Sequence, residues 1–587
     1  MTIFYPAWSP CTECQCPNHH VPSHSFPPER HALENHNLAP LTRSNDPPLP
    51  AEADTLNAMI SSYQAEIKDI DSEESNIIRL SAEMRENIAL LDQKVELLRG
   101  ERIRISQAIS ERKRLLSPIR QLPTEILSHI FLQTIEFPIE ATQTDAEDMW
   151  WKFRCARSAP WSIALVSRRW RQVALDFPQL WSYVNILITD KIFTEGTYRF
   201  AQRIGEHMLR SEKHKLSICI ANDPDSSTFG ELPLPLATIV CSIANRIRDL
   251  HLFLPSSIFA NLPSLHLSLP QLERLSLLCT DGEAILIYTG LKIFDFSPKL
   301  HSMQVMDIGS VSPLFVLPWP QITQFKSEHT HLKYSQPGSM FNEVLDFLSV
   351  AVNLEECFVE CDNRGDTLTR DPVACPKLHT LTVLGIYNDS QYEPVFPLLE
   401  KLMLPSLTTL VIGKIGHKNR EPPMTFTAIW DMIARSKCNL RVLHYDHGGI
   451  LAEDFINLLR GTPTLEDLRL TGGALDADTV TEQTLTELTV KLDGTRPFVP
   501  NLHTLFLDGT IAFPMKVFAE MVESRWTLAD VVSPPVYQLR NISICTSVRA
   551  DVREEENEKT LADVTALSAL DAYKAQGLVV TMNGRQI

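Results

Sequence analysis

The chain has 587 residues, with 54 Lys and Arg against 72 Asp and Glu, a formal net charge of −18 and 44% hydrophobic residues. That apolar share sustains a large core and excludes wholesale disorder, while the acidic balance argues against unspecific attraction to nucleic acid or anionic lipid. No apolar run approaches the ~18 residues of a bilayer-spanning helix, and Met1–Pro10 lacks a secretory signal's basic start and apolar run, so a cytoplasmic and/or nuclear chain with no membrane partner is expected.

Residues 1–52 are rich in Pro and His and show little periodicity, which predicts a disordered arm. Cys11, Cys14 and Cys16, followed by His19, His20 and His24, carry two readings there. Soft ligands two residues apart near imidazoles suit zinc, yet the second well-spaced pair of a structural site is missing, which favours the plain arm. No metal and no cofactor is therefore assigned. The other cysteines, from Cys155 to Cys545, have no regular spacing, as expected of reduced core thiols.

From Leu56 the pattern changes. Alternate steps of four and three pass through Ile60, Tyr63, Ile67 and Ile70, then on through Met84, Ile88, Leu91 and Val95 to Leu116, interrupted only by Glu74, Ser81, Arg102 and Arg112. No proline occurs between Ala51 and Ser117. A seven-residue stripe of this kind is the seam of a left-handed coiled coil, so residues 53–116 are predicted to self-associate or pair with a partner helix.

Pro118 ends that pattern. Leu122-Pro123-Thr124-Glu125 leads into Ile126, Leu127, Ile130 and Phe131, which helical spacing places on one face. Further on, Val166, Trp170, Val173 and Phe177 recur at helical spacing within Val-Ser-Arg-Arg-Trp-Arg-Gln-Val-Ala, and Phe177-Pro178-Gln179-Leu180-Trp181 follows. Two short amphipathic helices around a small core are the minimal reading.

These phrases, in this order, resemble the F-box, and most of all the F-box proteins expanded in mushroom-forming fungi, which commonly carry a coiled coil just upstream. The match covers residues 117–184; the insert Glu136–Pro160 between its halves departs from the pattern. The resemblance implies an all-α module over residues 117–190 that docks on the Skp-type adaptor of a cullin–RING (SCF) ubiquitin ligase. By motif position the docking contacts are Leu122, Pro123, Ile126, Leu127, Ile130 and Phe131, with Val166, Trp170 and Val173 from the later helix. Trp170 has a second role open to it, as the module's own core.

From residue 191 to 545 one phrase recurs: an aliphatic residue, two others, an aliphatic, one other, an aliphatic. It begins at Ile247, Leu272, Leu300, Leu354, Leu378, Leu407, Leu440, Leu465, Leu485, Leu502 and Leu539, with a weaker copy at Ile322. Most steps fall in or near the range of leucine-rich repeats. The last two apolar positions alternate, as on one face of a strand, and one unit cannot bury that face alone, so stacking is required. Helical spacing in Glu343–Val352, Phe426–Ala434 and Met515–Glu523 suits the outer side. The uneven steps predict an irregular, curved αβ solenoid. Residues 546–587, with Asp551–Glu556 as a charge cluster, are predicted to be an acidic and polar tail.

The predicted fold is thus α/β: a coiled-coil helix, a small all-α module and an irregular leucine-rich-repeat αβ solenoid. No phosphate-binding glycine loop, dinucleotide fingerprint or nucleophile elbow is present. His379, His444 and His503 sit in or beside repeat phrases, where solvated repeat residues are the plainer reading. The expectation is a non-catalytic adaptor that brings a protein target to the ligase. The rival is a coiled-coil and repeat scaffold whose F-box-like helices only cap the solenoid.

Overall fold

The computed structural model describes residues 8–10, 20–22, 41, 46–135, 160–189, 197–222, 232–262, 268–281, 292–308, 316–329, 339–361, 368–386, 395–415, 427–446, 450–471, 480–492, 497–508, 513–528, 536–545, 568, 570–582 and 585–586. Cys11, Cys14, Cys16, His19 and His24, most of the insert after Glu136 and the 551–556 charge cluster lie outside them. The chain divides into two compact units, Met1–Gln121 and Leu122–Ile587.

The first unit holds, among the described residues, a short antiparallel pair, Trp8–Pro10 with His20–Pro22, a long α-helix, α1 (Pro50–Leu115), and a 3-10 turn, Pro118–Arg120. Pro50 at the first helical position loses no bond, because its N–H would have had no partner there. Glu52 Oε2 accepts the Leu49 N–H at 2.8 Å, and Arg112, Lys113 and Arg114 fill the last turn, each suited to the helix dipole. Pro118 disfavours helical backbone at Ser117, and the helix stops just before it. No residue of α1 is buried. No described helix is long and apolar enough to cross a membrane.

The second unit is built on one sheet. Its strands are β1 (Tyr183–Ile188), β2 (Leu216–Asn222), β3 (Ile247–Leu254), β4 (Arg274–Cys279), β5 (Ser302–Met306), β6 (Gln324–Glu328), β7 (Glu356–Cys361) and β8 (Thr380–Ile386). They continue as β9 (Thr409–Ile415), β10 (Val442–Asp446), β11 (Asp467–Thr471), β12 (Thr504–Asp508), β13 (Asn541–Cys545), β14 (Val579–Met582) and β15 (Arg585–Gln586). Spatial order follows chain order throughout, β1 to β14 are parallel, only β15 returns antiparallel, and the sheet does not close into a barrel.

Register explains the recurring phrase. Its second residue forms one ladder, Leu250–Leu275–Met303–Phe325–Cys357–Leu381–Leu410–Leu443–Leu468–Leu505–Ile542, and every rung is buried. The third residue forms a parallel ladder in which Ser327 is the polar rung of the weaker copy. The helices Phe341–Val350, Thr427–Ser436 and Met515–Thr527 bury their apolar faces in the same core. A backbone chain ties successive repeats together, one residue before each strand from β5 to β13. His301 N–H donates to Glu273 O, Thr323 to His301, Glu355 to Thr323, His379 to Glu355, Thr408 to His379, and so on to Arg540 and to Val579, the first residue of β14, at 2.7–3.1 Å. Each rung satisfies a backbone pair that no side chain could replace at uneven spacing.

Three expectations change. The phrase at Leu485-Leu488-Val490 is not a strand but the helix Glu482–Leu488, capped by Thr481, whose Oγ1 accepts the Thr484 N–H. Leu485 and Leu488 are one helical turn apart as well as three residues into the phrase, so the spacing alone fits either. At the other two places the sheet outruns the predicted 191–545 boundaries. β1 lies inside the span given to the module, and β14, from the span given to the tail, pairs with β13.

Candidate functional site

Two surfaces bear on function, a helical module and the face of the sheet opposite the helices. The module begins with α2 (Thr124–Gln133), then α3 (Trp161–Val166), α4 (Arg168–Leu175) and a 3-10 turn, Pro178–Trp181. Ser167 separates α3 from α4. It is fully extended, φ −158° and ψ 166°, and its Oγ accepts the Trp170 N–H at 3.1 Å as the cap of α4.

That break corrects the expectation of one stripe through Val166, Trp170, Val173 and Phe177. Val166 is the last residue of α3 and 61% exposed, whereas Val173 on α4 is buried and Trp170 half-buried. The four apolar residues of α2 likewise divide. Leu127 and Phe131 are buried, while Ile126 and Ile130 are 49% and 37% exposed. The two pairs are offset by one residue, about 100° around the helix, so they form adjacent faces rather than one. Leu122 is half-buried and Pro123 exposed. Leu165, which motif position did not single out, is 76% exposed and joins Val166 as uncovered apolar surface.

The two halves of the module are bound at specific atoms. The Arg169 guanidinium donates to Leu122 O and the Phe131 and Trp170 rings meet at 4.9 Å, while within the second half Arg171 Nε donates to Ala164 O at 2.9 Å. Trp181, fully buried, donates its indole N–H to Ala174 O at 2.7 Å and meets Trp161 edge-on at 5.1 Å. The Arg210 guanidinium lies 4.4 Å from the Trp181 ring and 4.5 Å from Trp161, a cation–π clamp supplied by α5 (Thr197–Arg210). His207 of the same helix donates its Nε2–H to Tyr183 O at 3.1 Å, and burial with Arg210 nearby pushes its pKa down to about 4. Module and first strand therefore share one aromatic core. The repeated tryptophans were visible in sequence; the basic helix that covers them was not.

The sheet face opposite the helices has two parts. On β2 to β5, Cys219, Ala221, Phe253, Leu278 and Met306 form a second buried apolar cluster. Sequence signals this where alternation fails: Leu216–Asn222 is buried at every position. Near it Asp249, fully buried, holds Arg274 at 2.7 Å and Arg248 at 2.9 Å and accepts from Ser217. From β10 to β13 the burial pattern alternates and the face is open. There His444, Arg469, Phe506 and Ser543 stand side by side in register. Asp467 reaches Arg469 at 3.1 Å and His444 at 3.6 Å, and these contacts outweigh its burial to hold its carboxyl below the usual range. His379 and His503 sit at the strand starts, each beside a threonine hydroxyl, at 3.3 and 3.0 Å.

Among the described residues no group of three or more His, Cys, Asp or Glu is placed to hold a metal ion. Burial pushes the Cys219 and Cys357 thiols up, away from reactive thiolates. Fold and surfaces together define a mixed α/β protein with a small helical module leading into a long parallel sheet. No protein-family model matches the chain, and no curated protein matches its sequence.

Proposed function

We propose that the chain is an F-box adaptor: a non-catalytic subunit that docks on a Skp-type protein of a cullin–RING ligase and recruits a protein target through a leucine-rich-repeat-like solenoid. The observation that carries this reading is the division within α2. Leu127 and Phe131 hold the module together, which leaves Ile126 and Ile130 free to meet a partner. Uncovered aliphatic residues on a small module, joined by Leu165 and Val166, are what a docking surface requires.

The strict strand order and the buried ladders support a solenoid, in which each unit contacts only its neighbours. Its open face over β10–β13 mixes a cation, an imidazole and an aromatic ring, which suits a polypeptide target. The physical role is proximity, raising the target's effective concentration beside a ligase active site.

The scaffold reading has one observation of its own: Trp161, Trp181, His207 and Arg210 weld the module to β1, as a cap would be welded. The two readings part at Ile126 and Ile130, which a cap does not need. Co-purification of the full chain with a Skp-type adaptor, lost in Ile126→Asp with Ile130→Asp, supports docking. Absence of adaptor from the wild-type pull-down leaves the scaffold.

A further inference from the structure

We infer that α1 pairs antiparallel with α1 of a second copy of this chain, in the alignment that opposes Glu74 of each helix to Arg112 of the other. The seam is uncovered: Ile70, Ile77, Met84, Ile88, Leu91 and Leu98 are all exposed, on a helix with no buried residue. A water-exposed stripe this long needs a partner helix, since helical stability comes mainly from packing an apolar face.

Charge decides which partner and which direction. Residues 50–80 carry seven carboxylates against two basic side chains, and residues 98–115 carry six basic side chains against two carboxylates. A parallel, in-register pair would set acidic half on acidic half and basic half on basic half. It would also place Glu74, Arg102 and Arg112, all at seam positions, each against its own copy. Like charges at such positions oppose association, and side chains taken from water without a counter-charge are costly.

In an antiparallel pair the first seam position of one helix faces the second seam position of the other. With the helices aligned about Leu91 and Val95, Glu74 faces Arg112, and Asp71 on the flank faces Lys113. The same alignment sets Ile77 against Ile109, Ile88 against Leu98 and Leu91 against Val95, while Arg102 meets Met84, past which its long stem can carry the charge to water. Two-fold symmetry makes the Glu74–Arg112 pair twice. The overlap is residues 70–116, and the two helix C-termini then lie roughly 70 Å apart at 1.5 Å per residue.

The inference does not depend on the docking reading, and it is tested on the full chain without any adaptor. Sedimentation equilibrium would be measured for wild type, Glu74→Arg, Arg112→Glu and the double variant, with helicity checked by circular dichroism. The expected result is a wild-type dimer whose dissociation constant rises about tenfold or more in each single variant and returns to within about threefold in the double variant. A wild-type monomer at tens of micromolar overturns the inference. So do single variants that dimerise as wild type does, or a double variant that is not restored. Preferential pairing of wild type with Glu74→Arg when the two are mixed would establish the parallel arrangement instead.

Discussion

Trp170 lies against Phe131, with ring centroids 4.9 Å apart and planes tilted by 54°. This contact joins the two halves of the helical module across the whole insert between them. It packs the half-buried Trp170 against the module's core and leaves Ile126 and Ile130, one turn apart on the neighbouring face of α2, to the outside.

Trp170→Ala should therefore act on stability. Loss of the ring removes its contact with Phe131, and about 3 kcal/mol is expected for a large aromatic in a small core. Chemical denaturation should show a lowered midpoint for the module, and Trp170→Phe should recover part of it.

Arg525 is fully buried, and among the described residues no carboxylate pairs with it. Its guanidinium donates to Leu488 O at 3.0 Å, Phe498 O at 3.0 Å and Val499 O at 3.3 Å. Burial lowers its pKa to about 10, which still leaves it charged at neutral pH. Val499 has φ +42°, a costly conformation for a β-branched residue, and the arginine bonds hold that turn. Arg525→Met should lower stability by about 2–4 kcal/mol, because three carbonyls lose their donor at once. Arg525→Lys should rescue little, since one ammonium cannot span the fork. Denaturant titration of the three proteins checks both.

Gly461 ends the helix Ala452–Gly461 against Trp430 of the preceding helix. A Cβ there would stand 1.5 Å from the ring's Cζ3. Gly461→Ala should cost about 1–3 kcal/mol through forced repacking between adjacent units. A thermal melt would show it, and Trp430→Leu combined with it should restore part of the loss.

Acid should loosen the sheet's first strands. His207 and His251 are both held neutral, with pKa values near 4, in each case first by burial. For His207 the charge of Arg210 acts in the same direction; for His251 Asp249 opposes and Arg274 adds to the lowering. Because the folded values lie below the ordinary 6.5, the unfolded chain binds more protons between pH 6.5 and 4. Their contribution is complete above about pH 6.5 and is lost as pH falls toward 4. The expected melting curve shifts down over that window, and His207→Gln should flatten the shift. A pH-independent melting point from 7 to 4.5 would contradict the assignment.

The ladders were legible because the phrase repeats, so Leu250, Leu275 and Leu468 announced their rungs by alternation. Leu485 and Leu488 misled for a physical reason: a three-residue step suits one helical turn as well as the phrase, and Thr481, the cap that decides it, lies just upstream. β1, β2 and β14 carry no full phrase. Leu216–Asn222 is apolar on both faces and so lacks the alternation that marks a half-buried strand. In the module, spacing alone merged Ile126 with Leu127 and Val166 with Trp170. The separation depends on Ser167 turning the chain as a local cap and on which face the Trp170 ring covers, and the second is a tertiary fact.

The central claim is that Ile126 and Ile130 dock on a Skp-type adaptor. The most direct measurement is the adaptor's dissociation constant for the full chain and for Ile126→Asp with Ile130→Asp, by calorimetry, with melting temperatures recorded in parallel. The account predicts at least a hundredfold weakening, about 2.7 kcal/mol, at an unchanged melting temperature. Equal affinity for both proteins, or no binding by the wild type, would contradict it.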